Sequence, residues 1–261
     1  MKTFYSTIKN GPMTGNKLFY PEDMSPEERA ADLKMRRIEL GNGKGFDGTK
    51  IIVPLQQEKP TKYKEGHYED ITDFVGKLLK YDPNYDLWNL DIPCDIMLIR
   101  SELKGVVLAY PVADCPVVMV EAKDSFGNPT MMGLAHCGSS YIDRHLPEQL
   151  VEAVRKESGC KDSHLSAYIG PCAGRNSYIY DKWPNWATDT DFWKRCINET
   201  DTGFKINLLN AVRSQLKRQN VHLINPELID TITDSRFYSN SAFSRGAKTK
   251  GGRFLTGGFY K

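Results

Sequence analysis

Two short segments carry the residue types from which a reactive centre could be built. Ala113-Asp114-Cys115-Pro116 sets a thiol between two apolar runs of strand length, with a proline interrupting backbone pairing directly after it. Gly133-Leu134-Ala135-His136-Cys137-Gly138-Ser139-Ser140 brings a histidine to the point where a strand-like run gives way to a glycine turn. Functional side chains collect at strand ends in α/β sheets. A thiolate and an imidazole on adjacent strand ends suit two chemistries: ligation of a metal, or a cysteine nucleophile deprotonated by the histidine. Asp114, beside the thiol, joins Cys115 and His136 as a catalytic candidate. The plainer reading of the same residues is a buried cysteine and a hydrogen-bonded histidine at a turn.

The remaining candidates are weaker. His67 lies in a polar stretch, His145 near a helix start, and His164 and His222 just before apolar runs; each alone reads as a surface or capping residue. Cys172 follows Gly170-Pro171 in a loop, where a structural role is the default. Lys248, Lys250 and Arg253 stand among glycines, a composition that can cradle an anion through backbone N–H groups and cationic side chains or can simply be a solvated basic loop.

These residues need a sheet to hold them, and the sequence supplies one. Four apolar runs of strand length, 95–99, 105–111, 117–121 and 130–135, are separated by turn residues and read as the sheet core. Residues 146–158 place apolar side chains at 146, 150, 151 and 154, the spacing of a helix that covers the sheet. Residues 165–169 form another strand, and 204–219 repeat the helical pattern through Ile206, Leu209, Val212 and Leu216. Ser25 followed by Pro26 opens a helix to about Leu40. Residues 50–55 read as a short strand that Pro54 confines to an edge or a bulge. Over 56–92 a helix is expected at 71–79, followed by a loop rich in Tyr, Asp, Pro and Asn, and the glycine-rich C-terminal residues feed a last strand.

Composition sets the outer bounds. The 261 residues show no compositional break, so one domain spanning 1–261 is expected. With 40% hydrophobic and 26% charged residues the chain can bury a core. A formal charge of +2 gives no general reason to bind nucleic acid, while leaving room for a small anion. No run is long and apolar enough for a bilayer, and the start, MKTFYSTIKNGP, lacks a signal-peptide core, so the expected location is cytoplasmic, off the membrane. Six cysteines without a CxxC pair argue for reduced thiols and against a zinc ribbon.

The order of the motifs resembles the laccase-domain or YfiH-type family, formerly called multicopper polyphenol oxidases, which includes purine nucleoside phosphorylases. The resemblance rests on Arg36-Arg37, Asp95 before a strand, Ala113-Asp114-Cys115-Pro116, Ala135-His136-Cys137-Gly138, Ile169-Gly170-Pro171 with Tyr178 following, and Gly252-Arg253. It implies a compact α/β fold, a mixed sheet covered by helices, related distantly to cytotoxic necrotizing factor deamidases. It also implies a His/Cys/His site that binds zinc and supports phosphorolysis of adenosine- or inosine-type nucleosides together with adenosine deamination. Zinc is expected ahead of copper, because the chain has too few histidines for several coppers. On this reading Cys115 and His136 are metal ligands, and Arg253 and Lys248 contact phosphate. Two departures stand out. The family's Gln-Val-His after its first strand is replaced at 55–60 by Leu-Gln-Gln-Glu-Lys-Pro, leaving His67 as the nearby third ligand. The family's Trp-Arg after the histidine is replaced within Ser139-Ser140-Tyr141. Two further readings therefore accompany phosphorolysis: a Cys/His thiol hydrolase or deamidase, and a nucleoside- or nucleotide-binding protein without turnover.

Overall fold

Strand alternation sorts the apolar side chains onto both faces of two sheets, and that sorting builds the molecule. The computed structural model describes residues 1–13, 21–54, 68–70, 79–82, 87–90, 95–161, 164–224 and 229–261. The first sheet is formed by β1 (Lys2–Tyr5), β2 (Ile51–Pro54), β4 (Leu79–Asp82), β5 (Leu87–Leu90), β7 (Val107–Val112) and β15 (Phe254–Phe259), in the order β1-β15-β7-β2-β5-β4. The second is formed by β3 (Tyr68–Asp70), β6 (Ile96–Arg100), β8 (Val117–Lys123), β9 (Pro129–His136), β10 (Leu165–Ile169) and β14 (His222–Leu223), in the order β14-β10-β8-β9-β6-β3. A small third sheet joins β11 (Ile179–Tyr180), β12 (Ile197–Thr200) and β13 (Gly203–Ile206).

Residues of one parity face the other sheet: Met97 and Ile99 of β6, Leu108 and Tyr110 of β7, Met119 of β8, Leu134 of β9 and Phe254 of β15 share one buried cluster. The opposite parity of the first sheet, including Ile51, Val53, Val107 and Leu255, packs against Leu33 and Leu40 of α1 (Pro26–Lys44). The opposite parity of the second, including Leu98, Val118 and Val120, packs against Leu150 and Val154 of α3 (Leu146–Ser158) and Val212 of α5 (Leu208–Arg218). The layers therefore run helix, sheet, sheet, helix. Among the described residues there are also three short α-helices, α2 (Ser139–Asp143), α4 (Thr190–Trp193) and α6 (Asn240–Ser244).

The mixed α/β expectation is met, with two stacked sheets in place of one. Helix α1 begins at its Ser25 cap, closed by a reciprocal capping box with Glu28, and runs four residues past Leu40. Helix α3 and strand β10 occupy their expected spans. The strand at Pro54 is not an edge: β2 lies between β7 and β5, pairing with β7 through Ile51 and Ile52 and with β5 through Val53 and Pro54. The helix expected from 204 starts only at Leu208, because Gly203–Ile206 is strand β13 and Asn207 caps the helix by accepting from the Asn210 N–H. Where a loop was expected near 81–92, β4 and β5 pair antiparallel. The helix expected at 71–79 falls outside the described residues, apart from Leu79, which opens β4. Among the described residues no helix is long and apolar enough to cross a membrane.

Candidate active site

The segment 113–116 is one of the crossovers between the two sheets. It leaves β7 of the first sheet at Val112 and enters β8 of the second at Val117. Pro116 has no N–H to donate, and its carbonyl accepts from the N–H of Cys137 at 2.9 Å. Val117 pairs with His136, so the last residue of β9 stands beside the thiol-bearing crossover. Arg253 immediately precedes β15, whose first residue, Phe254, pairs with Val112. Three chain segments thus deliver Cys115, His136 and Arg253 to one edge of the sandwich, where they line a cavity of about 460 Å³.

Local contacts fix each group. Gly138, the N-cap of α2, lies against Cys115: a Cβ there would sit 3.6 Å from the sulfur. The His136 ring stands 5.8 Å from the Tyr110 ring and 6.4 Å from that of Tyr141, measured between centroids. Burial pushes the Cys115 thiol up to about 12, with the Asp114 charge adding to the rise and Arg253 opposing it. Burial, with the Arg253 charge adding to it, lowers His136 to about 4. Near neutral pH the pair therefore stands as a thiol and a neutral imidazole.

Asp114 lines the same cavity, and each of its carboxylate oxygens accepts a hydrogen bond that helps to position it. Oδ1 accepts from Thr231 Oγ1 at 2.9 Å and Oδ2 from the Ser241 N–H at 2.7 Å, while its carbonyl accepts from Ala173 N–H at 2.8 Å. Asp114 ties the crossover to the 230–241 segment and orients the cysteine next to it. Lys248, the other expected phosphate contact, does not line the cavity. Its ammonium donates to the carbonyls of Thr231, Asp234 and Phe237 at 2.6, 2.8 and 2.7 Å, which uses all three protons to fold the segment that carries Thr231. Arg253 does reach the cavity, and Lys250 is not among its lining residues.

The other candidates are dispersed. His145 caps α3 in a left-handed conformation, with its Nδ1 3.2 Å from Arg218. His222 is an exposed residue of β14, and Cys172 is buried with its N–H on the Ile229 carbonyl. His67 lies outside the described residues. Cys115 and His136 are the donor types that zinc prefers, and they fit it in kind. They supply two ligands, however, and among the described residues no three His, Cys, Asp or Glu side chains converge. A multi-copper centre fits less well, since the whole chain contains five histidines.

The sequence reading missed part of the cavity. Tyr178 and Tyr180 form one wall, with their hydroxyls 2.9 Å apart and their rings at 90°. Helix α6 lines the cavity as well, contributing Asn240, Ser241, Ser244 and the following Arg245. Its signal was present in Ser239, whose side chain caps the helix by accepting from the Ala242 N–H.

Comparison with solved structures places this fold among known ones. The hypothetical protein YfiH of Bacillus licheniformis is 17% identical over 89% of this chain and 82% of its own, with a TM-score of 0.66. YlmD of Geobacillus stearothermophilus is 18% identical over 89% and 82%, with a TM-score of 0.59. Neisseria meningitidis protein NMB0706 is 15% identical over 88% and 82%, with a TM-score of 0.60. No curated protein matches the chain by sequence. The family model for multi-copper polyphenol oxidoreductase laccase matches residues 93–257, which include Cys115, His136 and Arg253. With well over half of its length matched, the chain belongs to that laccase family, the group of the YfiH-type proteins.

Proposed function

We propose that the cavity binds a purine nucleoside and inorganic phosphate and cleaves the N-glycosidic bond by phosphorolysis. The observation that carries this reading is the convergence of the Arg253 guanidinium with Cys115 and His136 on a cavity walled by Tyr178 and Tyr180. A guanidinium binds phosphate through paired N–H donors, and aromatic side chains offer packing surface to a flat purine. Arg253 holds a phosphate oxygen against ribose C1′. As the new C1′–O bond forms, the C1′–N bond breaks and its electron pair leaves with the purine, which is protonated from water. The products are a free purine and ribose 1-phosphate. The neutral His136 imidazole offers one donor and one acceptor nitrogen to orient the sugar.

The resemblance adds zinc, for which Cys115, His136 and His67 would be the ligands. Bound there, it would supply a Lewis acid that activates water for adenosine deamination. The phosphorolytic steps above do not depend on it. The thiol-hydrolase reading has less support, because burial keeps Cys115 protonated and His136 neutral, whereas a cysteine nucleophile needs a thiolate.

Incubation of the purified protein with inosine, with and without phosphate, tests the proposal. Hypoxanthine and ribose 1-phosphate should form only with phosphate, and Arg253→Ala should reduce the rate at least tenfold. Free ribose formed without phosphate would identify a hydrolase. Tight nucleoside binding with no product would identify a binding protein.

A further inference from the structure

The cavity holds two arginines, and their surroundings differ. Arg253 directly precedes β15, which delivers it to the cavity beside Cys115 and His136. Arg245 lines the same cavity from a separate segment, directly after α6. It is also held in place. Its Nε donates to the Ser241 carbonyl at 3.2 Å and its Nη2 to the Ser177 carbonyl at 3.0 Å, bridging α6 to the loop before β11. A guanidinium has five N–H donors, so among the described residues these two bonds leave Nη1 and part of Nη2 for a ligand. The wall that carries it is polar throughout, with Asn240, Ser241 and Ser244. An exposed arginine with no ligand to serve would ordinarily keep its rotamer freedom; fixing it on two carbonyls costs entropy, and it prepares a fork for an anion.

The geometry points to a substrate with a second anionic group, a nucleoside 5′-phosphate, whose phosphate is held by Arg245 while the attacking phosphate is held by Arg253. This inference rests on the purine phosphorolysis reading and narrows its substrate class. A nucleoside alone would leave Arg245 facing water. A nucleoside monophosphate spans the distance between a reacting C1′ and a charge at the far end of the sugar.

Calorimetric titration of the whole protein with inosine and with inosine 5′-monophosphate tests it, alongside Arg245→Ala and Arg175→Ala. Arg175 is an exposed cation of the same loop that does not line the cavity, so its variant removes equal charge elsewhere. The nucleotide should bind at least tenfold tighter than the nucleoside, and this ratio should fall to about one in Arg245→Ala but persist in Arg175→Ala. Equal affinity in the unaltered protein would overturn the inference while leaving nucleoside phosphorolysis standing. A ratio lost equally in both variants would also overturn it, by showing a general charge effect. Failure to bind either compound would overturn both readings together.

Discussion

At the scale of single residues, burial decides what the Cys115 and His136 pair can do. A thiol raised to about 12 carries almost no thiolate near pH 7, and an imidazole lowered to about 4 is uncharged there. In metal-stripped protein, iodoacetamide should therefore label Cys115 slowly at pH 7 and faster as pH rises toward 12; rapid labelling at neutral pH would contradict this protonation state. Cys115→Ala should abolish adenosine deamination, the step that calls on the metal, at a stability cost of about 1 kcal/mol, because the side chain is small. Loss of soluble protein with unchanged specific activity would make the cysteine structural instead. For the third ligand, His67→Ala should lower zinc occupancy, read by metal analysis, and adenosine deamination together, whereas His164→Ala and His222→Ala should leave both unchanged; full zinc in the His67 variant would rule that histidine out. The placement of Cys115 and His136 at neighbouring strand ends was legible because strand ends and a proline break are local signals. The engagement of Asp114 and Lys248 was not, since Asp114 meets its Thr231 partner 117 residues away and Lys248 spends its protons on backbone carbonyls that no side-chain pattern marks.

At the scale of elements, the site depends on how closely α3 approaches β9, the strand that ends in His136. Gly133 makes that approach possible: a Cβ there would lie 2.5 Å from Val154 Cγ2, 2.7 Å from Leu150 Cδ1 and 2.9 Å from Leu98 Cδ2. Gly133→Ala should therefore destabilise the protein by roughly 1–3 kcal/mol, the usual penalty for overfilling a packed core, and weaken turnover through the displaced strand end. Urea unfolding checks the first effect, and an unchanged midpoint would show that the helix shifts without cost. The helix itself was readable, because its apolar residues recur at the right spacing and its first turn contains Pro147. The misreading at 204–206 has a physical cause: Ile206 falls in register with the apolar face of α5, and only the Asn207 cap marks where strand becomes helix. The interior position of β2 was hidden for a related reason. Pro54 closes the strand, so its missing N–H does not interrupt the pairing of Ile51 and Ile52 with β7.

At the scale of the whole molecule, the two sheets could not be told apart in the sequence, because consecutive apolar runs look alike whichever sheet receives them. The chain changes sheet between β7 and β8, and the local mark of that change is the break at Cys115-Pro116, which also brings Cys115 to the cavity. The cavity is then closed by parts far apart in sequence, so its integrity depends on ties such as Asp143. This residue ends α2, the helix that starts beside Cys115, and binds it to the 188–193 segment. Asp143 Oδ1 accepts from the N–H groups of Thr188 and Asp189 at 2.9 and 3.1 Å and from Trp193 Nε1 at 2.7 Å, while Oδ2 accepts from the Thr188 hydroxyl. Burial works to raise the Asp143 carboxyl, but these four donors outweigh it and hold it below its ordinary 3.8. A carboxylate depressed on folding stabilises the native state above its unfolded value and loses that contribution as pH falls through the folded one. Asp143→Asn should therefore lower the urea midpoint at pH 7, and the gap to the unaltered protein should narrow only below about pH 4, where the unfolded carboxyl takes up a proton before the native one does. A gap that stays constant from pH 7 down to pH 2 would show that the carboxylate charge contributes nothing, and that α2 is held by packing alone.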